Sequence, residues 1–424
     1  MKLLNGPRIN VLWSVLGQVG FAALSWIVTV LLARADREGS LVGQFGLASA
    51  ITLPVLVLCN LQLRTVVVSD ARDEFQFSDY FGLRAIALSI AFFVMVAIAT
   101  MGRFDRDTRL AILAISCIRV VDGVADIVHA YLQRFEQLRR MALSLLVRGL
   151  CTLGGVAVGL RLQGSLWASL ALVAILLLAE LLFLDSWAIR KTRSEAARRG
   201  HPWVALTPRF RRSHLKAIFK LSLPLALSGL VGAFATQLPI YVIEHEYGSE
   251  TLGKFVVIYN PLLAMPIFVV AAFEGVLAQL SAAAATRNRA LWLNLFSRLL
   301  AIAVSSALIL IGGVKLFGRS FLHLVYGQNY AASADLFLLL SIGVGLGFIN
   351  TILSACLLAD RRFKSILILS LVQLPITTAL ILGLVNRLGV DGAAYALILG
   401  QILSMAAYGS MLLRSLYRKP TEWR

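Results

Sequence analysis

Long apolar stretches alternate with short polar intervals along the whole chain, and each apolar stretch is long enough to cross a bilayer. About twelve such spans can be read, at 11–33, 41–63, 82–101, 109–132, 142–160 and 166–187, then 219–241, 252–280, 296–316, 332–357, 365–385 and 391–413. Stretches of this length predict helices, because a helix satisfies its own backbone hydrogen bonds in lipid. Gly and Pro inside several spans do not argue against this, since neighbouring helices re-satisfy the freed groups. The pattern therefore predicts an all-α, polytopic integral membrane protein.

The longest polar interval, roughly 188–218, carries Arg190, Lys191, Arg193, Arg198, Arg199, Arg209, Arg211, Arg212 and Lys216. It suggests an N-terminal six-helix lobe over 1–188, a basic linker over 189–218, a C-terminal six-helix lobe over 219–415 and a tail over 416–424. The halves carry matching stretches. Gly43-Gln44-Phe45 opens span two, and Gly253-Lys254-Phe255 opens span eight. Gly164-Ser165-Leu166-Trp167-Ala168 opens span six, and Gly392-Ala393-Ala394-Tyr395-Ala396 opens span twelve; Arg161-Leu162 and Arg387-Leu388 precede them. An even number of spans per half makes these parallel repeats, related by an axis along the membrane normal. Two such bundles predict a central cavity and alternating access.

Composition fits: 59% of residues are hydrophobic, 15% are charged, and the mean hydropathy is +0.81. The net charge of +18 does not call for a nucleic-acid partner. Roughly three quarters of the Lys and Arg fall on the face that holds both termini, the distribution of a cytoplasmic face near anionic lipid headgroups. Both termini are thus expected in the cytoplasm. Cys59, Cys117, Cys151 and Cys356 all lie in spans, without a CxxC, and read as packing residues. The first apolar run continues to Leu32 and reads as a retained helix, not a cleaved leader.

Polar residues inside the spans are the candidates for function. Arg119, Asp122, Asp126, His129 and Gln133 of span four recur at helical spacing, so they share one stripe that must face protein or water. It is either a polar wall of a transport cavity, an ion-coupling site, or a self-neutralised cluster stapling helices; Arg119 can pair with Asp122 one turn away. Arg64 follows Asn60 and Gln62 near the end of span two and suits either a phosphate or an interfacial position. Arg148 lies deep in span five. Glu180 and Glu274 sit in apolar helices as candidate proton or cation sites, or as salt-bridge partners. Gln18, Gln237, Asn260, Asn350, Gln373 and Gln401 offer amides for sugar hydroxyls or for interhelical bonds. Asn260-Pro261 suggests a bent span eight. Thr207–Lys220 reads as an amphipathic surface segment, a tether between lobes, or both.

No GxxxxGK[ST] motif, HExxH motif, nucleophile elbow or catalytic carboxylate pair occurs. The glycines of Gly343, Gly345 and Gly347 lie mid-span and read as helix packing. Glu244-His245-Glu246 reads as a solvated turn. No enzyme activity, metal or cofactor is expected.

Several stretches resemble the bacterial polysaccharide flippases of the multidrug/oligosaccharidyl-lipid/polysaccharide (MOP) exporter superfamily. They are Asn10-Val-Leu-Trp-Ser-Val-Leu-Gly-Gln18, Leu31-Leu-Ala-Arg34, Val42-Gly-Gln-Phe-Gly46, Asn60-Leu-Gln-Leu-Arg64, Phe219-Lys-Leu-Ser-Leu-Pro224-Leu-Ala226 and Val325-Tyr-Gly-Gln-Asn-Tyr330-Ala-Ala-Ser-Ala334. The first loop, Arg34-Ala-Asp-Arg-Glu-Gly-Ser40, departs from that pattern by its charge. The resemblance implies a V-shaped twelve-helix fold in the bacterial inner membrane. It implies translocation of an undecaprenyl-pyrophosphate-linked oligosaccharide for O-antigen or other polysaccharide export. On charge and depth, Arg64, Arg119 and Arg148 match the cationic cavity of such proteins, with Gln18, Asn60 and Asn260 as further substrate contacts. Asp122, Asp126, Glu180 and Glu274 are the candidates for H⁺ or Na⁺ coupling. The partners implied are the lipid-linked oligosaccharide, membrane lipids, a polysaccharide polymerase and glycosyltransferases. A cation-coupled multidrug exporter of the same superfamily, a lipid-linked-sugar polymerase or ligase, and a non-transporting scaffold stand as alternatives.

Overall fold

The computed structural model describes residues 7–36, 40–69, 75–198, 200, 207–263, 265, 266, 269, 280, 288–359 and 363–417. Among these, all regular structure is helical. The first helices are α1 (Pro7–Ala35), α2 (Ser40–Asn60), α3 (Leu63–Ser69), α4 (Phe77–Met101), α5 (Arg106–Arg134), α6 (Leu138–Gln163) and α7 (Leu166–Glu180). A π-helical turn, Leu181–Asp185, joins α7 to α8 (Ser186–Arg198). Then come α9 (Arg212–Leu263), α10 (Arg289–Tyr326), α11 (Gln328–Ala331), α12 (Ala334–Ala359), α13 (Phe363–Leu388) and α14 (Val390–Tyr417).

Ten of the described helical segments are long and apolar enough to cross a membrane. Helix α5 has the length, at 29 residues, but its charges keep it outside that set. Within α9 the backbone leaves helical geometry at Gly248 (φ 75°), which separates the predicted span seven from the start of span eight. Most of span eight after Leu263, including Glu274, lies outside the described residues. The helix continues through Asn260-Pro261 and ends at Leu263. Glu244-His245-Glu246 is the last helical turn before that break, and Ser249 donates to Glu244 there at 2.7 Å. It is helical and not a turn, and His245 and Glu246 are solvent-exposed as the solvated reading expected.

The chain divides into two compact units, one holding the described residues up to Phe234, the other those from Ala235 onward. In the first unit α5 is the central helix, packed by α2, α3, α4, α7 and α8. Being enclosed by protein is what allows so polar a helix in an apolar bundle. Asp105 caps its start by accepting from the Thr108 amide at 3.0 Å. Partial burial works against the charge of Asp105, but hydrogen bonds from Thr108 and the local backbone outweigh it and hold this carboxyl below its ordinary range. Helices α1 and α6 lie so close that a Cβ at Gly17 would sit 2.7 Å from the Ala142 Cα. In the second unit α12 packs against α10 and α14, and α14 against α13. Gly343 of α12 meets Leu397 of α14, in keeping with its reading as a packing residue. Large exposed side chains such as Phe93, Phe183 and Ile309, at 70%, 78% and 75%, are what a lipid-facing surface requires.

The basic interval after span six is structured where it is described. Helix α8 continues the span for two more turns of polar residues, and Arg140 holds it by donating to Thr192 (2.7 Å) and Glu195 (2.6 Å). The irregular segment before α9 is clasped to α4. The Arg209 amide donates to the Ser78 carbonyl at 2.9 Å, and His214 lies 3.0 Å from Asp79. Phe77, Tyr131, Ile189 and Ile218 form part of one buried cluster beneath it. A Cβ at Gly82 would come within 2.0 Å of the Arg209 carbonyl oxygen, a backbone atom that cannot yield without detaching the clasp. Gly82→Ala is therefore expected to destabilise the first unit by about 1–3 kcal/mol. Limited trypsin digestion, read at the basic residues of this segment, should be faster in the variant; an unchanged digestion pattern would contradict the clasp.

Candidate functional site: a charged seam along α5

The polar stripe of α5 faces its neighbours, and each member finds a partner. At one level Asp126 receives two guanidiniums. Arg84 of α4 donates to it at 2.7 Å and also to Asn60. Arg64 of α3 lies 3.5 Å from it, donates to Gln133 at 3.0 Å, and sits 3.4 Å from the Met141 sulfur. The two arginines differ in access: the Arg84 side chain is wholly buried, whereas that of Arg64 is 33% exposed. Among the described residues one carboxylate serves two guanidiniums here, so positive charge is in excess at this level, and its accessible share is on Arg64.

The chain delivers Arg64 here by a break that the hydropathy did not indicate. Span two does not continue through Arg64. It stops at Asn60, and Leu61 and Gln62 take left-handed backbone (φ 52° and 49°) before α3 begins. Non-glycine residues in that region are strained, and strain of this kind concentrates at functional positions.

About one further turn along α5, the balance reverses. Arg148 of α6 donates to Asp122 at 2.5 Å and to Glu180 at 2.7 Å, and lies 4.0 Å from Asp185. Arg119 lies 3.8 Å from Asp122. His129 sits 2.7 Å from the Ser144 hydroxyl, which donates to Glu180 at 3.1 Å, and 3.8 Å from Asp185. Here two guanidiniums face three carboxylates. Arg148, Glu180, Asp185, His129 and Ser144 are all buried, while Arg119 and Asp122 are partly accessible. Taken together the seam holds four arginines against four carboxylates. It is self-neutralised overall, but the charges are unevenly placed along it.

The sequence-derived candidates thus separate. Arg64, Arg119, Arg148, Asn60, Asp122, Asp126 and Glu180 come together in one network. Arg148 is buried between carboxylates, and Asn60 accepts from Arg84. Gln18 is exposed on α1, and Asn260 is half-buried in the second unit. Of the other amides, Asn350 donates to Gln401 across α12 and α14 at 2.6 Å, and Gln373 bonds Ser404 between α13 and α14. These two serve as interhelical ties.

Two charged members of the network escaped the sequence reading. Arg84 does not stand out when span three is read from 82, because that start leaves it in the first turn of the span. The helix starts at Phe77, with Gln76 and Asp79 forming a capping box, and that pattern would have set Arg84 two turns inside. Asp185 was missed because its spacing from Glu180 is not that of one α-helical face. The second unit has an apolar cleft of about 470 Å³ between Pro261, Phe317, Phe321, Phe337 and Phe348, with Ser306 the polar residue of its lining. It offers no charge to an anionic group.

The fold is shared with solved transporters that are described as members of the MOP superfamily. A multidrug resistance MATE family transporter in an inward-facing conformation matches with a TM-score of 0.74 at 14% identity, over 96% of each chain. The same transporter family in its outward-facing conformation matches at 0.66, with 16% identity over 98% of each chain. A MOP superfamily transporter from Pyrococcus furiosus, described as having a binding pocket of reverse polarity, matches at 0.61 with 16% identity, over 99% of this chain and 98% of that one. The family model for polysaccharide biosynthesis proteins matches residues 8–278, and the chain belongs to that family. A curated relative, the capsular polysaccharide biosynthesis protein CapF of Staphylococcus aureus, is 21% identical over 388 residues, which is 91% of this chain and 94% of the relative.

Proposed function

We propose that this protein flips a polyprenyl-pyrophosphate-linked oligosaccharide from the inner to the outer leaflet of the bacterial cytoplasmic membrane, by alternating access. The observation that carries this reading is the accessible guanidinium of Arg64, which shares the carboxylate of Asp126 with the buried Arg84. A diphosphate entering bare lipid meets a prohibitive desolvation penalty. A guanidinium fork replaces part of its hydration with bidentate, charge-assisted hydrogen bonds. The break at Leu61–Gln62 aims Arg64, Gln133 holds its Nε, and Arg119 supplies a second cation further along α5. Gln18 offers an amide to sugar hydroxyls. The polyprenyl tail stays in lipid. Membership of the polysaccharide biosynthesis family and the CapF relative support the substrate class.

The test is a reconstituted assay. Protein in proteoliposomes should expose an inner-leaflet lipid-linked oligosaccharide to an external glycosidase, and protein-free vesicles should not. Equal exposure in both would overturn the reading. The fold neighbours support a second reading, cation-coupled drug export. It predicts raised resistance to cationic drugs on overexpression; unchanged resistance together with positive glycosidase exposure decides for the glycolipid.

A further inference from the structure

The π-helical turn at Leu181–Asp185 is the one such turn among the described residues, and it has a geometric consequence. Five residues separate Glu180 from Asp185. In a regular α-helix they would point roughly 140° apart. A π turn bonds i to i+5, so five residues complete about one turn and both carboxylates end on the same face. That is where they lie: Glu180 is 2.7 Å and Asp185 4.0 Å from the same Arg148 nitrogen. Glu180, Asp185, His129, Ser144 and Arg148 are each buried. Neither carboxylate oxygen of Asp185 has a hydrogen-bond partner. Its contacts with His129 at 3.8 Å and with Arg148 at 4.0 Å are too long for one.

We propose that His129, Ser144, Glu180 and Asp185 form a buried site that binds one exchangeable proton. This deepens the transport reading by naming a coupling ion, but the site itself stands on its own geometry. The ionisable groups facing it are Asp122 and His129 from α5, Arg148 and Cys151 from α6, and Glu180 from the preceding helix; Arg119 acts through Asp122. The two guanidiniums leave one carboxylate charge unmatched, and a buried unmatched charge is strongly disfavoured. One added proton removes the mismatch. Ser144 donates to Glu180, so its oxygen accepts from His129 Nε2–H. The proton therefore has two stations. An imidazolium at His129 can pass its Nε2 hydrogen to the Ser144 oxygen as that hydroxyl passes its own hydrogen to Glu180. This leaves a neutral imidazole, an intact serine and a protonated glutamic acid, with the total charge unchanged.

The experiment is proton uptake by the purified protein in nanodiscs, with no substrate present, stepped from about pH 9 to about pH 5. It is followed by a pH indicator and by the infrared band of protonated carboxyl groups. Asp185→Asn and Glu180→Gln each remove the unmatched charge at nearly constant shape. Each should take up one proton fewer per chain than the parent and lose or alter that band. Using both variants guards against one failing to fold. Wild-type uptake in both would overturn the proposal. Because no glycolipid enters the measurement, its outcome is separate from that of the flipping assay.

Discussion

Replacing Arg64 by alanine is expected to halt polysaccharide export while folded protein accumulates normally. Arg64 is the network's accessible guanidinium at the level where one carboxylate serves two arginines, and Arg84 keeps Asp126 when it is removed. No buried charge is stranded, so stability should change by less than about 1 kcal/mol, as for a partly exposed ion pair. A hydrogen bond to a charged group is worth about 1.5–3 kcal/mol. Its loss weakens capture of a pyrophosphate by roughly ten- to a hundredfold, and lipid-linked intermediate should build up in the inner leaflet. Arg64→Lys keeps the charge but loses the planar fork, so it should restore only part of the export. Surface polysaccharide assayed beside membrane protein levels checks this. Normal polysaccharide in Arg64→Ala would remove Arg64 from the mechanism.

Arg148→Ala should fail differently. It strands Glu180 and Asp185 without a cation, deep in the first unit, and leaves Asp122 with Arg119 alone. Breaking a buried ion pair by removing one partner costs about 3–5 kcal/mol. Loss of folded protein and a much lower melting temperature in detergent are therefore expected. Restoring the parent charge balance is the diagnostic step: Arg148→Met combined with Glu180→Gln returns the excess to one carboxylate and should recover part of that loss. If Arg148 instead met the substrate directly, Arg148→Ala would keep its stability and lose only binding.

The two variants also show how far the sequence could be read. The stripe on α5 was legible because its residues recur at helical spacing in an apolar stretch, where unpaired charge is too costly to face lipid. The pairing of Arg119 with Asp122 followed from the same spacing. Most other partners come from different helices, and no spacing within one helix reports which neighbour faces it. Thus Arg148 was legible as deep, but not as sealed by Glu180 and Asp185. Arg84 was hidden by an error of one turn and a half in a helix start. Asp185 was hidden because the π turn breaks the periodicity by which a face is recognised. The break after Asn60 was equally silent, since Leu61 and Gln62 are not residues that usually take left-handed backbone. In the second unit the amides of Asn350 and Gln401 were visible as polar groups in spans, but not as each other's partners.

The central claim is that Arg64 holds a positive charge free to meet a diphosphate. The most direct measurement is the affinity of the purified protein in nanodiscs for a short-chain polyprenyl pyrophosphate, compared between wild type, Arg64→Lys and Arg64→Ala at two salt concentrations. Binding roughly ten- to a hundredfold weaker in Arg64→Ala, intermediate in Arg64→Lys, and with a smaller salt dependence once the charge is gone, is the predicted result. Equal affinity and equal salt dependence in all three would contradict it.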